Sequence, residues 1–250
     1  MPTVSVFIIT KNEEENILRC LESVKPIADE IVVVDDFSTD RTLEICKQEG
    51  CRVFEHKFTG YAAQKQFALE QTTCDWVLSL DADEVLTPKS EIELLEWKTR
   101  TDIEENGYKI PFDLIYLGHL MKFSGTCVAK LRLFCRTKGR FMEVTVHEDI
   151  ILEGKIGRMK YHILHYSYRD LSHHIQKLNT YTSDAARGYI QKNRRFSHFQ
   201  AVLKFPVNFF IFYFLRLGIL DGFPGFMWSL LASFYGTLKI AKTIELQKKK

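Results

Sequence analysis

Two aspartates separated by a single residue are the clearest chemical feature of the sequence. Asp81 and Asp83 follow the apolar residues 76–80, whose length and composition predict a buried strand. Two carboxylates at a strand end can share one divalent cation with a diphosphate, because Mg²⁺ and Mn²⁺ take oxygen ligands. The pattern predicts a cation site, and a solvated acidic turn is the alternative.

Polar residues also follow the first two predicted strands. Residues 4–10 and 30–34 are apolar and rich in β-branched side chains, which is typical of strands covered on both faces. Thr10 ends the first strand, and Asp35 and Asp36 follow the second. Ligands of parallel α/β sheets lie outside the carboxyl ends of the strands. A ligand is therefore expected beside these acids.

The segments between the strands have helical periodicity. Asn12 stands three residues before Glu15, as in a capping box, and this spacing predicts that the first helix opens there. Strands that alternate with helices of this length predict right-handed crossovers and a mostly parallel sheet, which is an α/β fold. From about residue 105 the pattern changes to short mixed strands, and residues 171–189 predict a helix.

Three stretches at the strand ends resemble the inverting nucleotide-sugar glycosyltransferases of family 2, whose fold is called the A fold. These stretches are SVFIITKNEEENI, IVVVDDFSTDRT and WVLSLDADEVL, all within residues 5–86. The resemblance implies a Rossmann-like nucleotide-sugar-binding domain with a mostly parallel central sheet.

By the same resemblance, six residues are expected to bind the nucleotide sugar: Thr10, Glu13, Asp35, Asp36, Lys65 and Asp81. Thr10, Glu13 and one of the two adjacent aspartates hold the uridine, and Asp81 approaches the ribose. Lys65 reaches the ribose or a phosphate, unless it is simply an exposed helix lysine. Asp83 binds the metal, Mg²⁺ or Mn²⁺, which stabilises the leaving diphosphate.

Two later stretches resemble the subgroup that acts on the lipopolysaccharide inner core, which includes a β-1,4-glucosyltransferase that modifies a core heptose. The stretches are EVTVHEDI and HYSYRDLSHHIQKLNTYTSDAA. The resemblance implies transfer of a hexose, with glucose as the expected sugar, from a UDP-sugar to a core heptose or a similar lipid-anchored saccharide. Another sugar, or a different envelope glycan or lipid acceptor, is the alternative.

An inverting transferase also needs a base that takes the proton from the acceptor hydroxyl. The resemblance favours Glu148 of the Val-His-Glu pattern, with Asp149 as its rival. The pairs His162 with His165 and His173 with His174 are interpreted as core or surface histidines rather than metal ligands.

The charge of the chain is distributed unevenly. Residues 1–100 contain 20 Asp and Glu against 11 Lys and Arg, whereas residues 185–250 contain 2 against 11. The basic tail is also rich in Phe, Leu and Ile, which favours an anionic membrane surface over nucleic acid as its partner. Its apolar runs fall short of a spanning helix, so we expect amphipathic helices at the membrane interface. Packing of these helices on the catalytic domain is the alternative.

These patterns predict two domains. Residues 1–190 form the catalytic domain, with a nucleotide-binding half (1–100) and an acceptor half (101–190), and residues 191–250 form the membrane-associating helical tail. The six cysteines have no CxxC pair or regular spacing, which indicates reduced thiols in the cytoplasm. The expected location is the inner face of the cytoplasmic membrane.

Three other classes fit the sequence less well. A haloacid-dehalogenase-like phosphohydrolase also has a strand followed by two spaced aspartates, but that motif normally follows the first strand and here follows the fourth. A non-catalytic membrane scaffold would not need both the paired acids and a candidate base. A hydride-transferring Rossmann enzyme is disfavoured because no GxGxxG follows the first strand.

Overall fold

The parallel half of the central sheet has the strand order β3-β2-β1-β4. The four strands are β1 (Val4–Thr10), β2 (Glu30–Asp35), β3 (Arg52–Glu55) and β4 (Trp76–Asp81). Every residue of β1 is buried, as its continuous apolar run predicts. The register pairs Thr10 with Asp35 and Ile9 with Asp81, so the carboxyl ends of β1, β2 and β4 lie side by side.

Four helices cover this sheet: α1 (Ile17–Val24), α2 (Thr42–Gln48), α3 (Tyr61–Glu70) and α4 (Pro88–Lys98). Alternate residues of β1 face two separate apolar cores. Ile8 packs in the core that includes side chains of α1, α2 and α4, and Phe7 packs in the core on the side of α3. The helices therefore lie on both faces of the sheet, which is the arrangement expected for a buried parallel sheet.

The second half of the sheet is mixed. The sheet continues from β4 in the order β8-β6-β12-β5. Its strands are β5 (Glu84–Leu86), β6 (Gly107–Tyr116), β7 (His119–Leu120), β8 (Val128–Cys135), β11 (Ile156–Arg158) and β12 (Ile163–His165). In this half, β8 pairs antiparallel with β4 and β6, and β12 pairs antiparallel with β5, whereas β11 pairs parallel with β6. A separate hairpin is formed by β9 (Gly139–Val144) and β10 (His147–Leu152). It packs on α3, where the Phe141 N–H donates to Gln66 Oε1 at 3.0 Å.

The computed structural model describes residues 1–144 and 147–248, and for residues 143, 144 and 147–149 it describes the backbone alone. The chain forms two compact units. The first consists of Met1–Phe112 and Val128–His165, and the second of Asp113–Cys127 and Tyr166–Lys250. These units are defined by contacts, and the functional boundary after residue 190 stays a prediction.

The second unit is helical. It contains α5 (Leu171–Gln191), α6 (His198–Phe210), a π-helical turn (Ile211–Leu215), a 3₁₀ turn (Gly218–Asp221) and α7 (Gly222–Lys248). The buried Asp221 carboxylate accepts the backbone N–H groups of Lys122 at 3.1 Å and Phe123 at 3.0 Å, which ties the loop before β8 to the start of α7. Gly225 allows a close approach, since a Cβ there would lie 1.9 Å from the Gly218 carbonyl oxygen.

The start of the first helix differs from the sequence expectation. The helix α1 begins at Ile17, and Asn12 lies outside it with a left-handed φ of 53°. The Asn12 side chain accepts the Thr39 N–H at 2.8 Å, so it links the loops after β1 and β2 instead of capping a helix. The α/β fold class with a largely parallel sheet and C-terminal helices is confirmed.

Candidate active site

The loops after β1 and β2 place most of the expected uridine-binding residues together. Thr10 is buried, and its carbonyl oxygen accepts the Asp36 N–H at 3.0 Å. The Glu13 N–H donates to Thr42 Oγ1 at 2.8 Å, and the Glu13 carboxylate accepts Asn16 Nδ2 at 2.6 Å. Backbone and side-chain contacts therefore hold these loops in a defined position at the carboxyl edge.

The two adjacent aspartates after β2 have different surroundings. Asp35 is fully buried and accepts the Ser38 N–H at 2.7 Å, so its carboxylate shapes the loop itself. Asp36 accepts Lys11 Nζ at 2.5 Å and the Phe58 N–H at 2.9 Å. The hydrogen bond from Lys11, followed by that from Phe58, lowers the pKa of Asp36 and keeps the carboxylate ionised.

Asp81 lies between two buried cations. Its Oδ1 is 2.9 Å from Lys65 Nζ, and its Oδ2 is 3.2 Å from Arg132 Nη2. Burial alone would raise the pKa of Asp81, but the charges of Lys65 and Arg132 outweigh it and hold the pKa well below its usual range. Lys65 is buried, which excludes the alternative of an exposed helix lysine. Asp81 is therefore an ionised acceptor whose charge is already compensated by the protein.

Asp83 faces a histidine. Asp83 Oδ2 lies 3.4 Å from His165 Nε2 because β5 and β12 pair with Glu84 opposite His165. Burial alone would lower the pKa of His165, but the hydrogen bond and charge of Asp83 raise it. One carboxylate and one imidazole are donors that fit a divalent transition-metal ion, and Asp83 with His165 can hold it together with substrate phosphate oxygens.

The candidate base lies on the β9–β10 hairpin. The strand β10 includes Glu148 and Asp149, opposite Glu143 and Met142 of β9. The side chains of Glu148 and Asp149 lie outside the described residues, so their role as base stays a prediction.

Sequence reasoning missed two residues at this site. Arg132 contacts Asp81, and His165 contacts Asp83. The sequence signal for His165 is its place in the stretch HYSYRD, whereas we find no local spacing that indicates Arg132. His174 is a core residue, as expected, because it is buried and bonds Tyr116 Oη through Nδ1 at 2.8 Å.

Comparison with known proteins decides the family. Residues 5–103 match the family model described as glycosyl transferase family 2. A protein of Rickettsia typhi named an uncharacterized glycosyltransferase is 33% identical over 261 residues, which cover 100% of this chain and 89% of the relative. The chain belongs to glycosyltransferase family 2. It is therefore a sugar-transferring enzyme, as the sequence stretches predicted.

This family 2 glycosyltransferase is also similar to the lipopolysaccharide core biosynthesis glycosyltransferase LpsC of Rhizobium meliloti. The two are 32% identical over 248 residues, which cover 96% of this chain and 91% of LpsC. A crystal structure of a mycobacterial protein matches with a TM-score of 0.52 and 16% identity, over 74% of this chain and 73% of that one. Together with the family match, this likeness confirms the A fold.

We expect Asp83→Asn to weaken Mn²⁺ binding by at least about tenfold, because an amide oxygen carries no charge for the cation. Binding is measured by electron paramagnetic resonance of free Mn²⁺. The matched control is Asp75→Asn, because Asp75 is exposed and precedes β4, whereas Asp83 follows it. Unchanged Mn²⁺ affinity in Asp83→Asn would contradict the assignment of Asp83 as a metal ligand.

Proposed function

We propose that this family 2 enzyme transfers a hexose, with glucose as the expected sugar, from a UDP-sugar to a lipopolysaccharide inner-core heptose or a similar lipid-anchored saccharide. The observation that carries the donor part is the ionised Asp81, compensated by Lys65 and Arg132, next to Asp83 at the carboxyl edge of the sheet. The acceptor part is supported by the similarity to LpsC, which extends over both units of the chain.

The nucleotide is proposed to bind across the loops after β1, β2 and β4. Asp36 is the better uridine ligand of the two adjacent aspartates, because Asp35 is fully buried and bonds Ser38 within its own loop, whereas Asp36 is partly exposed. Asp81 accepts a ribose hydroxyl, which an ionised carboxylate can do without competing for the cation. Thr10 and Glu13 shape the same loop edge and line the base or ribose.

The cation is proposed to bind between Asp83 and His165. A bound divalent cation supplies a Lewis acid that stabilises the charge of the leaving diphosphate. Mg²⁺ usually takes oxygen ligands only, whereas imidazole is a common ligand of transition-metal ions. The presence of His165 beside Asp83 therefore favours Mn²⁺ over Mg²⁺.

The chemical step is a single displacement with inversion. The acceptor hydroxyl oxygen attacks the anomeric carbon from the face opposite the diphosphate, and its proton passes to the carboxylate of Glu148. The bond from the anomeric carbon to the phosphate oxygen breaks as the new bond forms, and UDP leaves with the bonding electrons. Asp149 is the alternative base.

The donor and acceptor are tested by a screen of UDP-hexoses and UDP-N-acetylhexosamines with purified enzyme. The acceptors are lipopolysaccharide cores truncated at successive sugars, and products are read by mass spectrometry. We expect a hexose adduct from UDP-glucose, which is lost when the accepting heptose is removed. Transfer that is independent of the heptose would contradict the acceptor assignment.

Glu148→Gln is expected to retain UDP binding but to lower kcat by about 10² to 10⁴, because an amide cannot accept the proton. Asp149→Asn is the matched variant and is expected to retain most of the activity. Single-turnover rates and UDP titrations separate the chemical step from binding. An inactive Asp149→Asn beside an active Glu148→Gln would assign the base to Asp149 instead.

The enzyme is further proposed to be a peripheral protein on the cytoplasmic face of the inner membrane, attached through the residues after 190. One face of α6 packs on α7, and the opposite face is apolar and exposed. The exposed apolar side chains are Phe199, Val202, Leu203, Val207 and Phe210 of α6 and Phe214 of the π-helical turn that follows it. The segment 185–220 has no acidic residue and includes six Lys and Arg side chains, so an anionic lipid surface complements it.

An in-plane position of α6 is proposed rather than a membrane crossing. The sequence expectation that the apolar runs are too short to span a membrane is corrected for one segment. Among the described helices, His198–Leu215 is long and apolar enough, by length and composition, to cross a membrane, and 6% of it is buried. In the in-plane position α6 keeps its packing on α7 and inserts its exposed apolar face.

We expect the protein to float with anionic vesicles, and binding to weaken without vanishing as salt rises. Each Lys or Arg near the surface contributes about 1 kcal/mol, and this part is screened by salt. The double variant Val202→Ser/Phe210→Ser should lose the part of the vesicle binding that persists at high salt. Ile92→Ser on α4 is the matched control for an exposed apolar side chain in the first unit. Binding that is unaffected by the double variant would contradict insertion of this face.

A further inference from the structure

A buried ion pair lies directly behind the paired aspartates. Glu84 and Arg132 are both buried, and Arg132 Nη2 lies 2.5 Å from Glu84 Oε1. Removing two charges from water is costly, and apolar replacements of such pairs are often no less stable. A contribution to the stability of the fold is therefore a weak explanation for the Glu84–Arg132 pair. The contacts of the pair indicate another role.

Both members of the pair contact Asp81. Glu84 Oε2 accepts the Asp81 N–H at 3.0 Å, and Arg132 Nη2 lies 3.2 Å from Asp81 Oδ2. Glu84 thus binds the backbone of Asp81, and Arg132 binds its carboxylate. Together the three residues form a closed ring of charge-assisted contacts.

The position of the guanidinium is fixed by its surroundings. Arg132 lies on β8, which pairs with β4 so that Leu133 is opposite Leu78. The guanidinium carbon lies 5.0 Å from the centre of the Phe112 ring, a cation–π contact on a buried side chain. Glu84 is fixed in turn by the pairing of β5 with β12. The pair is a rigid support, since each member belongs to a paired strand.

We propose that Glu84 and Arg132 are positioning residues that orient the Asp81 carboxylate for the nucleotide sugar. Arg132 holds Oδ2 and Lys65 holds Oδ1, so the two cations define the plane of the carboxylate. Without Arg132, Lys65 alone would attract Asp81, and the carboxylate could rotate away from the donor. The inference rests on the proposed function, because it takes Asp81 to contact the donor ribose.

Variants of Glu84 and Arg132 distinguish a role in positioning Asp81 from a contribution to the stability of the fold. Arg132→Met alone leaves the buried Glu84 carboxylate without its partner, beside a partly buried Asp81, and is expected to be unstable. The double variant Glu84→Gln/Arg132→Met removes both charges, and the glutamine amide oxygen can still accept the Asp81 N–H. We therefore expect it to recover most of the lost thermal stability. Arg132→Lys keeps the charge as a single ammonium group. Because both carboxylate contacts of Arg132 come from one nitrogen, Nη2, the lysine Nζ can replace them in part.

The test measures UDP affinity by calorimetry in the presence of Mn²⁺, along with melting temperature and steady-state kinetics. We expect the double variant to bind UDP about tenfold to a hundredfold more weakly, as for a lost hydrogen bond to a charged group. The KM for the donor should rise by a similar factor, and kcat at saturating donor should change less. Arg132→Lys should restore part of the affinity.

Arg136→Met is the matched control, because Arg136 Nε donates to the Cys74 carbonyl oxygen at 2.9 Å, away from the paired aspartates. It should lose stability without losing UDP affinity. A double variant that regains wild-type UDP affinity together with its stability would overturn the positioning role and leave the proposed function intact. A wild-type protein that binds no UDP would overturn both.

Discussion

The compensation of the Asp81 charge is the constraint on which the first unit depends. Three carboxylates, Asp81, Asp83 and Glu84, lie within four residues at one strand end. Their mutual repulsion in a partly buried site would be strongly unfavourable without nearby cations. Lys65 from α3 and Arg132 from β8 supply them. The helix before β4 and the strand beside it thus make an acidic strand end compatible with folding.

The same contacts also explain why different roles are proposed for the two paired aspartates. Asp81 is compensated from within the protein, so its oxygens are available as ionised hydrogen-bond acceptors rather than as the main countercharge of a cation. Asp83 faces His165, and in the proposed function these two side chains hold the metal ion. Two carboxylates one residue apart therefore have different surroundings because different elements contact them, and this difference supports the separate roles proposed for them.

The sequence predicted the features that depend on local pattern. The continuous apolar runs predicted the parallel strands. Because the carboxyl ends of parallel strands share one edge of the sheet, the ends of these runs also predicted that four acids lie along that edge: Asp35, Asp36, Asp81 and Asp83. Arg132 and His165 reach the site through β8 and β12, whose pairing with distant strands has no spacing signal in the chain. The loop after β1 was misread as a helix start, since the Asn12 side chain bonds the other loop.

The second unit raises a different physical question, which is why a helix should leave a continuous apolar face in contact with water. The other face of α6 already packs on α7, so packing within the second unit buries only one of its two faces. In the proposed function the acceptor is lipid-anchored, so the enzyme meets it at a surface. Attachment to that surface raises the effective concentration of the acceptor without any new contact in the active site. If the proposed attachment holds, the exposed face of α6 lowers local stability in water, and the same face increases the rate of encounter with the acceptor at the membrane.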